Sequence, residues 1–218
     1  MSKAAAKPAA GRPKDLEKRQ ALLESAARLF LEQGFERTTV DAIAARAGVS
    51  KLTVYSHFDG KEGLFKALIA EKCGEHFEAR EFGELAPLGP REALTRIANG
   101  FLGLMFHPDV VALHRVLMNA ASHGSSMNQT FWDTGPAPTI DSLAGLLGRF
   151  DAEGSLRVPR PVAAADQFLS MLKGVDHLRV LLNVGEVPSA RRLKAIAQET
   201  VDMFLRAYAP DGSARSQR

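Results

Sequence analysis

The chain has 218 residues, 45% of them apolar and 24% charged, with a formal net charge of only +3. That is a globular composition long enough for one or two domains, and no apolar run approaches the roughly 20 residues that a bilayer span needs. The single cysteine excludes an internal disulfide framework, and the basic N-terminus has no apolar stretch after it, so no secretory signal is read and a cytoplasmic location is expected.

The charge is unevenly placed. Residues 1–66 hold 12 Lys/Arg and 8 Asp/Glu, net +4, whereas the other 152 residues hold 16 and 17, net −1. A basic N-terminal third on a near-neutral body fits either a polyanion partner or a solvated tail.

Residues 1–14 are mostly Ala, Lys, Pro and Gly with nothing to pack, a tail expected to be disordered when free. From Leu16 the pattern turns helical: Leu22, Leu23, Ala26, Leu29 and Phe30 form one stripe that Gly34 ends. Val40, Ile43, Ala44 and Ala47 repeat at helical spacing, with Thr38 or Thr39 placed to cap them and Gly48 to stop them. Ser50 can cap a further helix, Lys51 to Phe58. Asp59 and Gly60 break it, and a longer helix is expected from Lys61 to about Glu81. Two short helices joined by a tight glycine turn, with a supporting helix on each side, make a helix-turn-helix, whose second helix enters a major groove.

That pattern accounts for the donors crowded on the second helix. Val54 and Phe58 share an apolar face. Lys51, Thr53 and Ser56 face base-edge acceptors, while Tyr55, His57 and Lys61 suit phosphates, which set register without reading sequence. Thr39 and Ser50 stand at helix N-termini, where amides favour an anion, and plain capping is compatible with that role. In "AGRPK", Arg12 is placed to enter a narrow minor groove, or the tail is simply unread.

The remainder reads as helices too: about Pro90–Phe106, Pro108–Ser122, Asn128–Trp132, Thr139–Ala152, Val162–Val184 and Ser189–Tyr208. None shows sustained period-two alternation, so the expected fold is all-α. The histidines His107, His114 and His123 are spaced seven and nine apart, not as a ligand pair on one helix turn. There are no paired cysteines and no phosphate-binding glycine loop, so no metal and no cofactor are expected. Leu193, Ile196, Ala197, Thr200, Val201, Phe204, Leu205 and Tyr208 make a broad stripe on the last helix. Phe168, Met171, Leu172, Val175, Leu178 and Leu182 do so on the preceding one. These faces suit either internal packing or a second copy.

The stretch "TTVDAIAARAGVSKLTVYSHFDGKEGLFKAL" resembles the DNA-binding region of TetR-family transcriptional regulators, over about Leu16 to Ala70. "FLSMLKGVDHLRVLL" and "IAQETVDMFLRAY" are similar to the last two helices of one subgroup. Leu52 departs from the family pattern, which often has glycine there; it either touches a thymine methyl or packs on the preceding helix. The resemblance implies a three-helix DNA-binding domain at residues 15–60, an effector and dimerisation domain at 61–210, and a second tail at 211–218. Phe101, Met105, Leu117, Met118, Phe131, Trp132, Phe168 and Met171 are large and soft, as ordinary core residues are; the resemblance implies a ligand cavity among them, where His114, Asn119 and His177 orient a hydrophobic or amphipathic effector. It also implies a homodimer through the last two helices, with Leu178, Leu182, Ile196, Val201, Phe204 and Tyr208 at the interface, bound to a palindromic double-stranded operator. The rival reading is a ligand-binding helical protein or enzyme whose helix-turn-helix is incidental; it would need a catalytic constellation, and none is apparent.

Overall fold

The computed structural model describes residues 12–76, 79–121 and 126–210, with the backbone alone described at 12–14, 75–76, 79–81, 120–121 and 126. Among these residues every regular element is helical. In order they are α1 (Arg12–Gln33), α2 (Val40–Ala47), α3 (Lys51–His57), α4 (Gly60–His76), a run of 3-10 turns over Ala79–Leu88, α5 (Gly89–Met105), α6 (Pro108–Ala121), α7 (Ser126–Thr134), α8 (Pro136–Ala152), α9 (Pro161–Leu181) and α10 (Ala190–Ala207). The chain divides into two compact units, Met1–Leu68 and Ile69–Arg218, and the division falls inside α4.

The first unit is built on the expected stripes. Leu22, Leu23, Ala26, Leu29 and Phe30 of α1 are buried with Ile43 and Ala44 of α2, Val54 and Phe58, and Leu64, Phe65 and Leu68 of α4. Phe65 reaches the rings of Phe30 and Phe35, at centroid distances of 5.9 and 5.4 Å, so the start of α4 belongs to this core. Thr38 is buried and does not cap: its hydroxyl donates to the Gly34 carbonyl at 2.7 Å. This hooks the connection back onto the end of α1.

The second unit has a continuous core drawn from α5, α8, α9 and α10 with the 3-10 segment and the start of α6. Several helix boundaries differ from expectation: α1 already starts at Arg12, inside the expected tail, α7 is longer at both ends and α9 stops at Leu181. Helix was expected as far as about Glu81, but residues 79–88 form 3-10 turns, in keeping with a segment that carries Gly83 and Pro87 and runs into Gly89 and Pro90. α8 starts at Pro136, because proline fits a first turn whose amides have no intrahelical partner. α9 is interrupted at Gly174 (φ 51°, ψ −162°), backbone that only a residue without Cβ adopts cheaply.

The expected interface residues separate. Leu178, Leu182 and Met203 are about half exposed, and Val175 is more so. Ile196, Val201 and Phe204 are instead enclosed by this chain's own core. Phe204 lies 5.0 Å from the Phe168 ring and 4.5 Å from that of Tyr208. Tyr208 is half-buried and its hydroxyl donates to Gln167 of α9 at 3.1 Å. The broad stripe of α10 is therefore its inner face; with α5 and α9 to cover, its width is used up inside the unit.

Candidate functional site

The helix-turn-helix is fixed by short-range chemistry. Thr39 caps α2, its hydroxyl accepting from the Ala42 amide at 3.1 Å. Gly48 takes the left-handed conformation (φ 67°), and the next amide, Val49, donates back to the Ala44 carbonyl at 3.0 Å. This six-residue closure reverses the chain at low cost only with glycine. Ser50 then caps α3, accepting from the Thr53 amide at 3.1 Å. Buried Val54 and Phe58 turn the opposite side of α3 outward.

On that outer side Lys51, Leu52, Tyr55 and Ser56 are exposed, and Thr53 is partly so. Leu52 is 78% exposed, so it does not pack on α2. Lys51 Nζ pairs with Asp41 of α2 at 3.0 Å, a solvated pair that yields readily to a stronger partner. Ser56 donates to the Thr53 carbonyl at 2.9 Å, and the Ser50 and Thr53 hydroxyls lie 2.8 Å apart.

Two residues expected at phosphates are held elsewhere. Lys61 Nζ donates to the Phe35 carbonyl at 3.0 Å and sits 4.3 Å from the centre of the Phe35 ring. His57 Nε2 lies 3.1 Å from Asp15 of α1, with its side chain only 13% exposed. Both tie parts of the domain together. Arg12 opens α1, but its side chain and the tail before it lie outside the described residues, as do His123 and the tail 211–218.

The second unit contains a cavity of about 550 Å³ between α4, α5, α6, α7, α8 and α9. Phe101, Met105, His114, Met118, Trp132 and His177 line it as expected. Leu117 and Phe131, read from the sequence as large soft residues beside these, line it too. Sequence reading missed Leu104, Leu113, Asn128, Thr139, Ile140 and Lys173, which also line it; Asn128 and Lys173 carry no local signal that separates them from ordinary surface residues. Lys72 at the wall lies 3.5 Å from Asp109. The Cys73 thiol, also on the wall, is pushed up in pKa by burial.

The polar groups of this cavity are poorly satisfied. His114 Nδ1, His177 Nε2 and the Asn128 side-chain oxygen are buried without a hydrogen-bond partner. The two imidazoles meet edge to face, with centroids 5.5 Å apart, and Phe131 and Phe106 stack against them in the same manner. Burial, then the nearby charges of His177 and Lys173, pull the His114 pKa down to about 4. Burial and Lys173 lower that of His177 as well, opposed by a hydrogen bond to the Met105 backbone. Both rings are neutral at pH 7.

Three expected cavity residues lie elsewhere. Phe168 is fully buried against Phe204 in the helical core. Met171, 37% exposed, lies in a separate shallow groove with Met203 and Tyr208. Asn119 is exposed on α6 and is not part of the cavity wall. Helical phase decides all three: each shares a helix with true lining residues but points away from them. No group of acidic, histidine or cysteine side chains among the described residues is arranged to hold a metal, and no single described helix is long and apolar enough to cross a membrane.

Residues 22–68 match the family described as bacterial regulatory proteins of the tetR family, and residues 92–210 match the C-terminal domain of AefR-like transcriptional repressors. The solved structure of the flavonoid-responsive regulator FrrA is 33% identical; it covers 89% of this chain and 98% of its own at a TM-score of 0.71. The HTH-type transcriptional regulator YdeS of Bacillus subtilis is 49% identical over 54 residues, 25% of this chain and 27% of that protein. BetI of Rhizobium meliloti, another HTH-type regulator, is 26% identical over 205 residues, 92% of this chain and 95% of BetI. The matches to the first curated relatives, YdeS among them, span less than half of those proteins' length.

Proposed function

The chain belongs to the TetR family of transcriptional regulators and is a DNA-binding regulator rather than an enzyme; we propose that it is a repressor released from a palindromic operator by a small hydrophobic molecule. The observation that carries the reading is α3 itself. Its apolar side is buried, its caps are closed, and Lys51, Leu52, Thr53, Tyr55 and Ser56 are left on the outer side. Lys51, Thr53 and Ser56 would meet base edges, with Leu52 at a thymine methyl. Tyr55 and the capped start of α2 at Thr39 would meet phosphates, with Ser50 beside them.

Two copies would pair through the exposed apolar residues Val175 and Leu178 of α9 and Leu182 at its C-cap, which follow one face, together with Met203 of α10. A two-fold pair presents two copies of α3, and half-site centres about 34–36 Å apart fit one DNA turn. The cavity is the effector site. Its aromatic and methionine lining suits an aromatic or amphipathic molecule, and the flavonoid response named for FrrA, matched over 98% of its chain, supports that choice. An effector releases DNA only to the extent that it binds the non-DNA-binding state more tightly.

The test is binding to genomic DNA fragments across a salt series, followed by footprinting of the tightest fragment. The expected result is a steep loss of affinity with salt and a symmetric footprint over an inverted repeat. Protection of one asymmetric half-site would overturn the dimer reading; salt-independent binding would overturn the reading of α3.

A further inference from the structure

Among the described residues, the only buried side-chain nitrogen or oxygen atoms without a partner are His114 Nδ1, His177 Nε2 and Asn128 Oδ1, and all three residues line the effector cavity. Buried polar groups are otherwise almost always satisfied, since an orphan keeps its desolvation cost. Three in one wall therefore mark what the cavity is made to meet.

Their chemistry has a direction. His177 is only 7% exposed. The Met105 backbone acts on its ring and favours a proton there, and a ring proton on Nδ1 directed to that carbonyl leaves Nε2 without one. A neutral imidazole that donates from one nitrogen offers a lone pair at the other. Nε2 is thus an acceptor, held in place by the Phe106 and His114 rings packed edge to face against it. The Asn128 oxygen is a second acceptor. His114 Nδ1 is orphaned beside it, and a hydroxyl, donor and acceptor at once, meets it in either tautomer. An ether, a ketone or a carboxylate brings only lone pairs and leaves His177 Nε2 and the Asn128 oxygen unmet; a hydroxyl brings the missing hydrogen.

We propose that the cavity selects an aromatic molecule by its hydroxyl groups, one donating to His177 Nε2 and another met by His114 Nδ1 and the Asn128 amide. This rests on the reading of the cavity as the effector site and adds what that reading lacks, the hydrogen-bonding sense of the ligand. Lys173, the cation whose field both histidines feel, stands on the same wall; it and Lys72, which pairs with Asp109, are the groups there that would favour an anion.

The experiment uses the full chain and three probes on one frame: biphenyl with a para hydroxyl on each ring, its bis-methyl ether, and the bis-carboxylate. Binding is read by the fluorescence of Trp132, the only tryptophan, which lines the cavity. The diol is expected to bind about ten-fold or more tighter than the ether, the worth of one or two buried hydrogen bonds. In His177→Phe the diol should fall toward the ether's affinity while the ether is unchanged. Asn128→Leu should cause a smaller loss of the same kind, and circular dichroism would check that both variants keep their helices. Equal binding of diol and ether, as a water-filled polar site would give, overturns the proposal. So does preference for the carboxylate, or no response to any probe. Operator affinity measured alongside separates the two readings. Hydroxyl-selective binding that leaves DNA bound removes the inducer role and keeps this proposal; release of DNA by the ether or the acid alone does the reverse.

Discussion

In the unit ending at Leu68, the polar groups of α3 open to a partner face solvent: Tyr55 is exposed, Ser56 is exposed with only a local bond to the Thr53 carbonyl, and Lys51 has a solvated pair with Asp41. In the unit that follows, three such atoms face an apolar cavity. An exposed donor costs nothing while it waits, because water satisfies it. A buried acceptor waits at a cost, so only a few are kept and each must be held in place. The first arrangement suits a partner that arrives with its own charged surface. The second suits a ligand that must shed its water to enter.

The largest expected effect tests which apolar residues belong to the inside of the second unit. Phe204→Glu puts a carboxylate into a closed core and should destabilise that unit by several kcal/mol, seen as loss of its cooperative melting transition. Leu178→Glu, on the exposed side of α9, should keep the melting transition and shift the mass measured by light scattering from dimer to monomer. A folded Phe204→Glu protein would break the assignment of the α10 stripe to the interior.

The cavity histidines set a pH dependence. His114 titrates at about 4 when folded against 6.5 for the free side chain. As pH falls through 6.5 the unfolded chain takes up a proton that the folded one refuses, so this stabilisation is complete above 6.5, declines down to about 4, and changes no further below. The loss amounts to at most about 3 kcal/mol, less for a ring that is not fully enclosed, and His177 acts in the same direction. Urea titrations at pH 7 and pH 5 should show it, and His114→Phe should flatten the difference. An unchanged difference would mean that His114 is solvated.

Specificity sharpens the comparison from the other side. Lys51→Ala should cut discrimination at one base position by about ten-fold or more, leaving preferences elsewhere intact, as measured by selection from random DNA. Tyr55→Phe should weaken all sequences alike and by less. If Lys51→Ala left the selected sequence unchanged, α3 would not lie in the groove as placed.

The smallest effect is at the turn. Gly48→Ala strains a left-handed residue with open space around it, and should cost about 1 kcal/mol. Thermal melting of the N-terminal unit should report it. No loss would show that the turn relaxes without glycine.

Much of the first unit could be read directly. Its determinants, the caps at Thr39 and Ser50, Gly48, and the pair Val54 and Phe58, act within a few residues of one another. Local chemistry of that kind is written along the chain. Two alternatives it left open were settled by packing: Thr38 is buried rather than a cap, and Leu52 is exposed rather than packed on α2. The contacts of Lys61 with Phe35 and of His57 with Asp15 were not legible, because they join residues 26 and 42 apart. In the second unit the sequence established helices and apolar stripes, since periodicity reports that a face is buried. It does not report what buries it. Phe204 and Leu182 both belong to apolar stripes, yet one is closed inside the unit and the other faces out. Phe168 and Met171 share α9 with His177, but only His177 reaches the cavity. The site joins α6, α7 and α9, so Asn128 and His177 meet the same space from 49 residues apart. Only the crossing of helices brings such residues together; the sequence by itself determined the elements, and the tertiary structure decided which of their faces became core, cavity or surface.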